Sequence, residues 1–232
     1  MVATALVAHD ARMTLHIGLL LFPGLTQLDL TGPYEVFHRI PGAQVHLVWK
    51  DLEPVRADSG LRLLPTTTLA DCPPLDIVCV PGGFGQIALM GDAAVLDFLR
   101  THARTARYVT SVCTGSLLLG AAGLLDGHRC TTHWAFVELL ADYGGTYTPG
   151  RVVVDGNRIT GGGVTAGIDF ALRVAAEVAG PDVAKAIQLG LEYNPAPPFS
   201  SGHPDVADRV LVEAVRARLI DGGRDRFAKR PQ

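Results

Sequence analysis

The sequence is poor in the features that mark a disulfide scaffold, a membrane protein or a nucleic-acid binder. Only 4 of its 232 residues are cysteine, too few for a disulfide framework in a chain of this length. No stretch supplies the roughly 18 consecutive apolar residues of a membrane-crossing helix. The short apolar run near the N-terminus has no basic cluster ahead of it, so no secretory signal is expected there. The formal charge of −3 is small and unclustered, which leaves neither nucleic acid nor a membrane surface as an expected partner. The 8 histidines are scattered. No His-Glu-x-x-His pattern and no cysteine pair at zinc spacing occurs, so no metal is expected.

What is present suits one globular α/β domain. Hydrophobic residues make up 48% of the chain and charged ones 19%, ample for a buried core. The cysteine usage fits a reducing cytoplasm, where a single thiol can stay reactive. Residues 15–22, 43–50, 75–80 and 108–112 read as apolar strands of the buried, parallel type. Helical spacing recurs at 31–38, with Thr31 as its cap, and at 92–104, 114–125, 132–143, 165–178, 182–193 and 205–220. Asp58-Ser-Gly60 turns between two short extended pieces, and Asp155-Gly156 sits at the tip of a hairpin over 152–160. The expected fold is a doubly wound, mostly parallel sheet with helices on both faces. Residues 1–13 read as a disordered extension, 14–220 as the single domain, and 221–232 as a charged tail.

Cys113 is the candidate nucleophile. It stands between an apolar strand and an apolar helix in Thr110-Ser-Val-Cys-Thr-Gly115. Small residues two positions either side are what a sharp strand-to-helix turn needs, as in the G-x-S-x-G nucleophile elbow. A thiol at a helix start faces unpaired N–H groups and the positive end of the dipole, which favours thiolate.

In an open α/β sheet, ligands bind outside the carboxyl ends of the strands. Three such ends carry Pro23-Gly-Leu-Thr-Gln-Leu-Asp-Leu-Thr-Gly-Pro33, Pro81-Gly-Gly83 and Cys113. Asp29 is an acid between two leucines, and burial would raise its pKa; a helix cap or loop brace is the structural alternative. Gly82 and Gly83 could aim bare N–H groups at a reacting centre, or simply form a tight turn. Thr114 could polarise a bound atom through its N–H, or act only as a cap. His133, opening the helix over 132–143, is a candidate supporting residue, and an equally good structural histidine. Gly161-Gly-Gly-Val-Thr-Ala166 and Gly83-Phe-Gly-Gln-Ile-Ala88 fit a loose dinucleotide pattern. Neither is followed by a strand ending in the acid expected about 20 residues on, so no nucleotide cofactor is expected.

Taken together, Leu28-Asp-Leu-Thr-Gly-Pro33, Val80-Pro-Gly-Gly83, Ser111-Val-Cys-Thr-Gly-Ser116, Thr131-Thr-His-Trp134 and Gly161-Gly-Gly-Val-Thr-Ala-Gly-Ile-Asp169 resemble the DJ-1/PfpI superfamily. Gln27, Cys113-Thr114 and Leu191-Glu-Tyr-Asn-Pro-Ala-Pro-Pro-Phe199 are similar to its isocyanide-hydrating branch. The resemblance implies a flavodoxin-like or class I glutaminase-like fold, a homodimer, and no metal or organic cofactor. It implies a Cys113 thioimidate, with Asp29 handling protons, Thr114 binding the intermediate, and Gln27, Gly82 and Gly83 lining the substrate site. Many members of the superfamily carry a glutamate where the aspartate stands here. Two alternatives stay open: glyoxalase- or deglycase-like chemistry on reactive carbonyls, and a non-enzymatic oxidation or ligand sensor. Related sensor domains are fused to helix-turn-helix regions, and none follows residue 220 here.

Overall fold

The computed structural model describes residues 14–227; the expected extension over 1–13 lies outside the described residues. A seven-stranded sheet forms the centre. Its strands, in chain order, are β1 (Leu15–Leu20), β2 (Ala43–Trp49), β5 (Thr67–Thr68), β6 (Ile77–Val80), β7 (Tyr108–Val112), β10 (Val152–Asp155) and β11 (Arg158–Gly161). Two-residue strands β3 (Val55–Arg56) and β4 (Arg62–Leu63) form an antiparallel ribbon, and β8 (Arg129–Cys130) pairs with β9 (Thr146–Tyr147). Across the main sheet the order is β10-β11-β7-β6-β1-β2-β5, and every pairing is parallel except β10 with β11.

That order places the site. From β1 the chain steps to β2 on one side, then returns to lay β6 on the other. The reversal opens a crevice at the carboxyl ends of β1 and β6, where ligands of such sheets bind. All four residues of β6 are buried, as a strand covered on both faces requires. Helices α1 (Gln27–Phe37) and α5 (Ala166–Ala179) pack together. The Phe37 and Phe170 rings meet edge-on, 6.1 Å between centroids, and both side chains are fully buried. Helix α3 (Ala93–Ala103) carries Asp92 as its cap, the side chain accepting from Val95 N–H. Helices α2 (Gln86–Leu89), α4 (Gly115–Ala121), α6 (Pro181–Gly190) and α7 (Arg209–Phe227) complete the layers, with a run of 3₁₀ helix over Trp134–Tyr143.

Two expectations are corrected. The first helix starts at Gln27, after Thr26, and not at residue 31. Proline suits the first turn of a helix, where no N–H is needed, and in the body it removes a helical hydrogen bond. Here its buried ring lies against Gly167 of α5, where an added Cβ would stand 3.2 Å from the Pro33 Cδ. Tertiary packing holds the helix through the proline. The last helix also runs on to Phe227, into the stretch expected to be a charged tail.

Gly115 shows how tightly the turn after β7 is drawn. A Cβ there would stand 2.1 Å from the Val80 carbonyl oxygen and 2.7 Å from that of Pro81, both rigid backbone. Gly115→Ala should therefore lower stability by about 3 kcal/mol or more, read as a shift of the urea midpoint. A midpoint unchanged from wild type would show that the turn can relax.

Candidate active site

Cys113 occupies the bend between β7 and α4 with φ 56°, one of two non-glycine residues among those described with a positive φ. Left-handed backbone is costly for a residue with a Cβ and persists where the surroundings fix it. The fixing groups are visible. The Cys113 N–H donates to both Gly161 O (3.0 Å) and Gly162 O (2.9 Å). Its carbonyl accepts from the Thr132 hydroxyl (3.0 Å) and the Ser116 hydroxyl (3.2 Å). The triple-glycine stretch that superficially matches a dinucleotide motif is thus part of the cradle of the cysteine.

The three strand ends converge as the sheet topology requires. Thr26 N–H donates to Gly82 O (2.9 Å), and Gly85 N–H to Gly24 O (3.1 Å). Asp29 is fully buried in the first turn of α1, and its Oδ2 accepts the Gly82 N–H at 3.0 Å. Its side-chain partner is the Cys113 thiol. Oδ1 meets no N–H or O–H donor. The Thr114 hydroxyl accepts the Gly83 N–H at 3.1 Å. An alanine at position 82 would place its Cβ 2.7 Å from Thr114 N and 2.8 Å from Asp29 Oδ2. Glycine is therefore needed there for close approach.

Electrostatics at the pair differ from the expectation. Burial pushes Asp29 up to about 7, against the smaller opposing pull of its bonds to Cys113 and Gly82, with the Asp58 charge adding to the rise. Burial likewise pushes the Cys113 thiol well above its ordinary value, and the neighbouring Asp29 charge adds to it. The backbone N–H groups of Thr114 and Val164 bond the sulfur and pull the other way. They do not win: α4 is only seven residues long, and a buried thiolate beside a carboxylate is disfavoured on two counts. The lowered thiol pKa expected from helix-start position alone is corrected: burial and the Asp29 charge push it up instead. The two groups are in contact, burial disfavours a charge on either, and they titrate as a pair.

Other expected site residues fare unevenly. Asp29, Cys113 and Thr114 come together around Gly82 and Gly83. The glycine N–H groups are, however, already committed to Asp29 and Thr114, so their expected service as free anion donors is corrected to a bracing role. The donors at the sulfur are Thr114 and Val164; Val164 was not anticipated, and its only signal was the glycine run before it. Gln27 accepts the Thr31 hydroxyl at 2.9 Å along its own helix. His133 caps the 3₁₀ helix, its Nδ1 accepting Ala135 N–H at 3.2 Å, and its ring lies against Trp134 and Phe136. Burial holds it down at about 4, so it is neutral near pH 7.

Residues 16–177 match the model of the DJ-1/PfpI family. The chain belongs to the DJ-1/PfpI family. Among relatives in this family, an isonitrile hydratase of Pseudomonas putida is 61% identical over 206 residues, 89% of this chain and 90% of that protein. A THiJ/PfpI family protein from Pseudomonas syringae superposes with TM-score 0.91 at 40% identity, covering 96% of this chain and 93% of that one. A glutathione-independent glyoxalase of Caenorhabditis elegans is 28% identical over 61% of this chain and 76% of its own length.

The raised Asp29 value has a consequence for stability. Between about pH 4 and pH 7 the unfolded chain has lost this proton while the folded chain keeps it. Stability therefore falls as pH rises through that window, by on the order of 4 kcal/mol, and the penalty is complete above about pH 7. Asp29→Asn should be more stable than wild type at pH 8, with the advantage vanishing near pH 4. Thermal unfolding across that range checks it; a constant difference would place the titration elsewhere.

Proposed function

We propose that the protein hydrates isocyanides, R–N≡C, to N-substituted formamides, with Cys113 as nucleophile and Asp29 as proton carrier. The observation that carries the reading is the buried thiol–carboxyl pair, with the carboxyl pushed up to about 7. The 61% identity to an isonitrile hydratase supports the same conclusion. A general acid–base group works best with a pKa near the operating pH. The nucleophile is helped over two easier steps by forming a covalent intermediate.

In the first step the Cys113 sulfur bonds to the terminal carbon of the isocyanide. The thiol proton, carried by Asp29, ends on that same carbon and leaves a thioimidate, S–CH=N–R. The two N–H groups of Thr114 and Val164 steady negative charge on sulfur as the proton leaves. Water then adds to the carbon. Asp29 takes a proton from it and returns one to nitrogen, giving S–CH(OH)–NH–R. Collapse of this adduct releases the formamide and restores the thiol. Water is the sole co-reactant.

A homodimer is proposed as the assembly. Exposed apolar side chains toward the C-terminus, Leu189, Phe199, Val206 and Val210 among them, support burial against a second copy. A reduced cytoplasmic setting is proposed with it, on the strength of four unpaired cysteines. The glyoxalase-like alternative has the more distant relative behind it.

Purified protein mixed with an alkyl isocyanide should accumulate the formamide, followed by chromatography. Cys113→Ala should abolish turnover, and Asp29→Asn should lower kcat by about a hundredfold or more. Absence of formamide from wild type with an intact thiol, or faster consumption of methylglyoxal than of isocyanide, would overturn the assignment.

A further inference from the structure

The β3–β4 ribbon is docked onto the loop that carries Asp29 into the site. Its turn is closed by Ala57 N–H donating to Leu61 O (2.8 Å) and Gly60 N–H to Ala57 O (3.0 Å), with Gly60 at φ 93°. Two further bonds hold it on the segment after β1. Gly24 N–H donates to Arg56 O (2.8 Å), and Asp58 N–H to Leu25 O (2.9 Å). Gly83 presses on the same segment, where an added Cβ would stand 2.7 Å from Leu25 Cα. The ribbon thus brings Asp58 to the start of α1.

Thr26 makes that join specific. It stands at the N-cap of α1 with extended backbone, yet its hydroxyl caps nothing in the helix. The hydroxyl donates instead to Asp58 Oδ2 at 2.8 Å. A threonine cap stabilises a helix by about 1 kcal/mol, and here the group that could supply it fixes a surface carboxylate. Thr26 O also accepts the Asp29 N–H (3.0 Å), and Thr26 N–H donates to Gly82 O (2.9 Å). The residue holding Asp58 is therefore bonded to Asp29 and to the glycine whose N–H holds the Asp29 carboxyl.

Two acids are gathered at one helix start, Asp29 buried and Asp58 exposed. No ion pair neutralises Asp58 among the described residues. The Arg56 guanidinium lies over Gly60, 3.7 Å from where a Cβ would stand. Other charged groups on the helices around Asp29 are paired, Glu35 of α1 with Arg39 and Asp169 of α5 with Arg151. The remaining titratable neighbours are the Cys113 thiol and the Cys79 thiol of β6. Burial pushes both up, Cys79 to about 12. Asp58 is the neighbour whose charge opposes a second one on Asp29.

We propose that Asp58 is a positioning residue of the reaction, a fixed outer charge that makes Asp29 a stronger base and sets the pH range in which it takes protons from sulfur and from water. The proposal rests on Asp29 as proton carrier in the hydratase reading. Asp58 acts through Asp29 and touches no substrate. An isocyanide has no net charge, so the outer carboxylate does not repel it. Ionised Asp29 is the form that accepts a proton, so kcat/KM climbs with pH around the Asp29 value of about 7. Removing the Asp58 charge moves that climb to lower pH.

The test is the pH profile of kcat/KM for an alkyl isocyanide. Asp58→Asn should raise the ratio of kcat/KM at pH 6 to that at pH 8 about threefold, the scale on which one exposed charge acts on a neighbour. Asp58→Glu should keep the wild-type ratio. Added salt should move the wild-type ratio toward that of the asparagine variant and leave the variant unmoved. Thr26→Val, which frees Asp58 without removing it, should shift the ratio the same way and serves if the asparagine variant fails to fold. Infrared difference spectra of the protonated Asp29 carboxyl against pH, assigned with Asp29→Asn, read the same shift without turnover. A purely structural role would lower both rates together, and an unchanged ratio and infrared midpoint in the folded variants would overturn the proposal. Wild type that converts no isocyanide would overturn the hydratase reading and the part of Asp58 in that reaction, while the infrared midpoint decides its hold on the Asp29 proton in either case.

Discussion

A thiol and a carboxyl buried against each other, neither easily charged, are the constraint that organises this molecule. The Cys113 thiol and the Asp29 carboxyl sit together out of water, and burial alone disfavours ionising either one. The surrounding structure holds that pair in place. Gly82 N–H steadies one carboxyl oxygen. Thr114 and Val164 offer N–H groups to sulfur, and the hydroxyls of Thr132 and Ser116 hold the backbone that carries it. These groups come from four different strand ends: Gly82 after β6, Thr114 and Ser116 after β7, Thr132 after β8 and Val164 after β11. The open doubly wound sheet is what gathers them, because its strand order reverses beside β1 and β6.

The same arrangement explains why no histidine partners the thiol. Neutral His133 is occupied as a helix cap and packed among aromatic rings. A cysteine activated by a histidine rests as an ion pair and is poised to attack a carbonyl. A thiol paired with a half-ionised carboxyl delivers sulfur and a proton to the same small molecule. That suits an isocyanide carbon, which must gain both.

Much of this was readable in the chain. The apolar strands, the bend at Cys113 and the odd acid at Asp29 are local signals, each carried by a few adjacent residues. What escaped reading was set by distance. The α1 boundary was misplaced because a proline suits a first turn, whereas Pro33 lies in the body of the helix, packed against Gly167 of another helix. The Gly82 and Gly83 N–H groups looked free because their acceptors lie 53 and 31 residues away. The thiol looked ionisable because its helix start is local, whereas burial and the Asp29 charge depend on the assembled fold.

The pairing of β11 with β7 has a bearing on how the chain reaches this state. Gly161 pairs with Val112, and the next residues along each strand hold Cys113 through its N–H. This parallel contact joins segments roughly 50 residues apart in sequence, and non-local pairings of that kind form slowly because loop-closure entropy opposes them. The hairpin of β10 and β11, by contrast, is a local contact. A chain with its hairpin and helices formed, but with β11 undocked, would possess every residue of the site and lack its geometry. Chemical competence at the sulfur is acquired with a long-range docking step in folding, not with the elements that carry the residues.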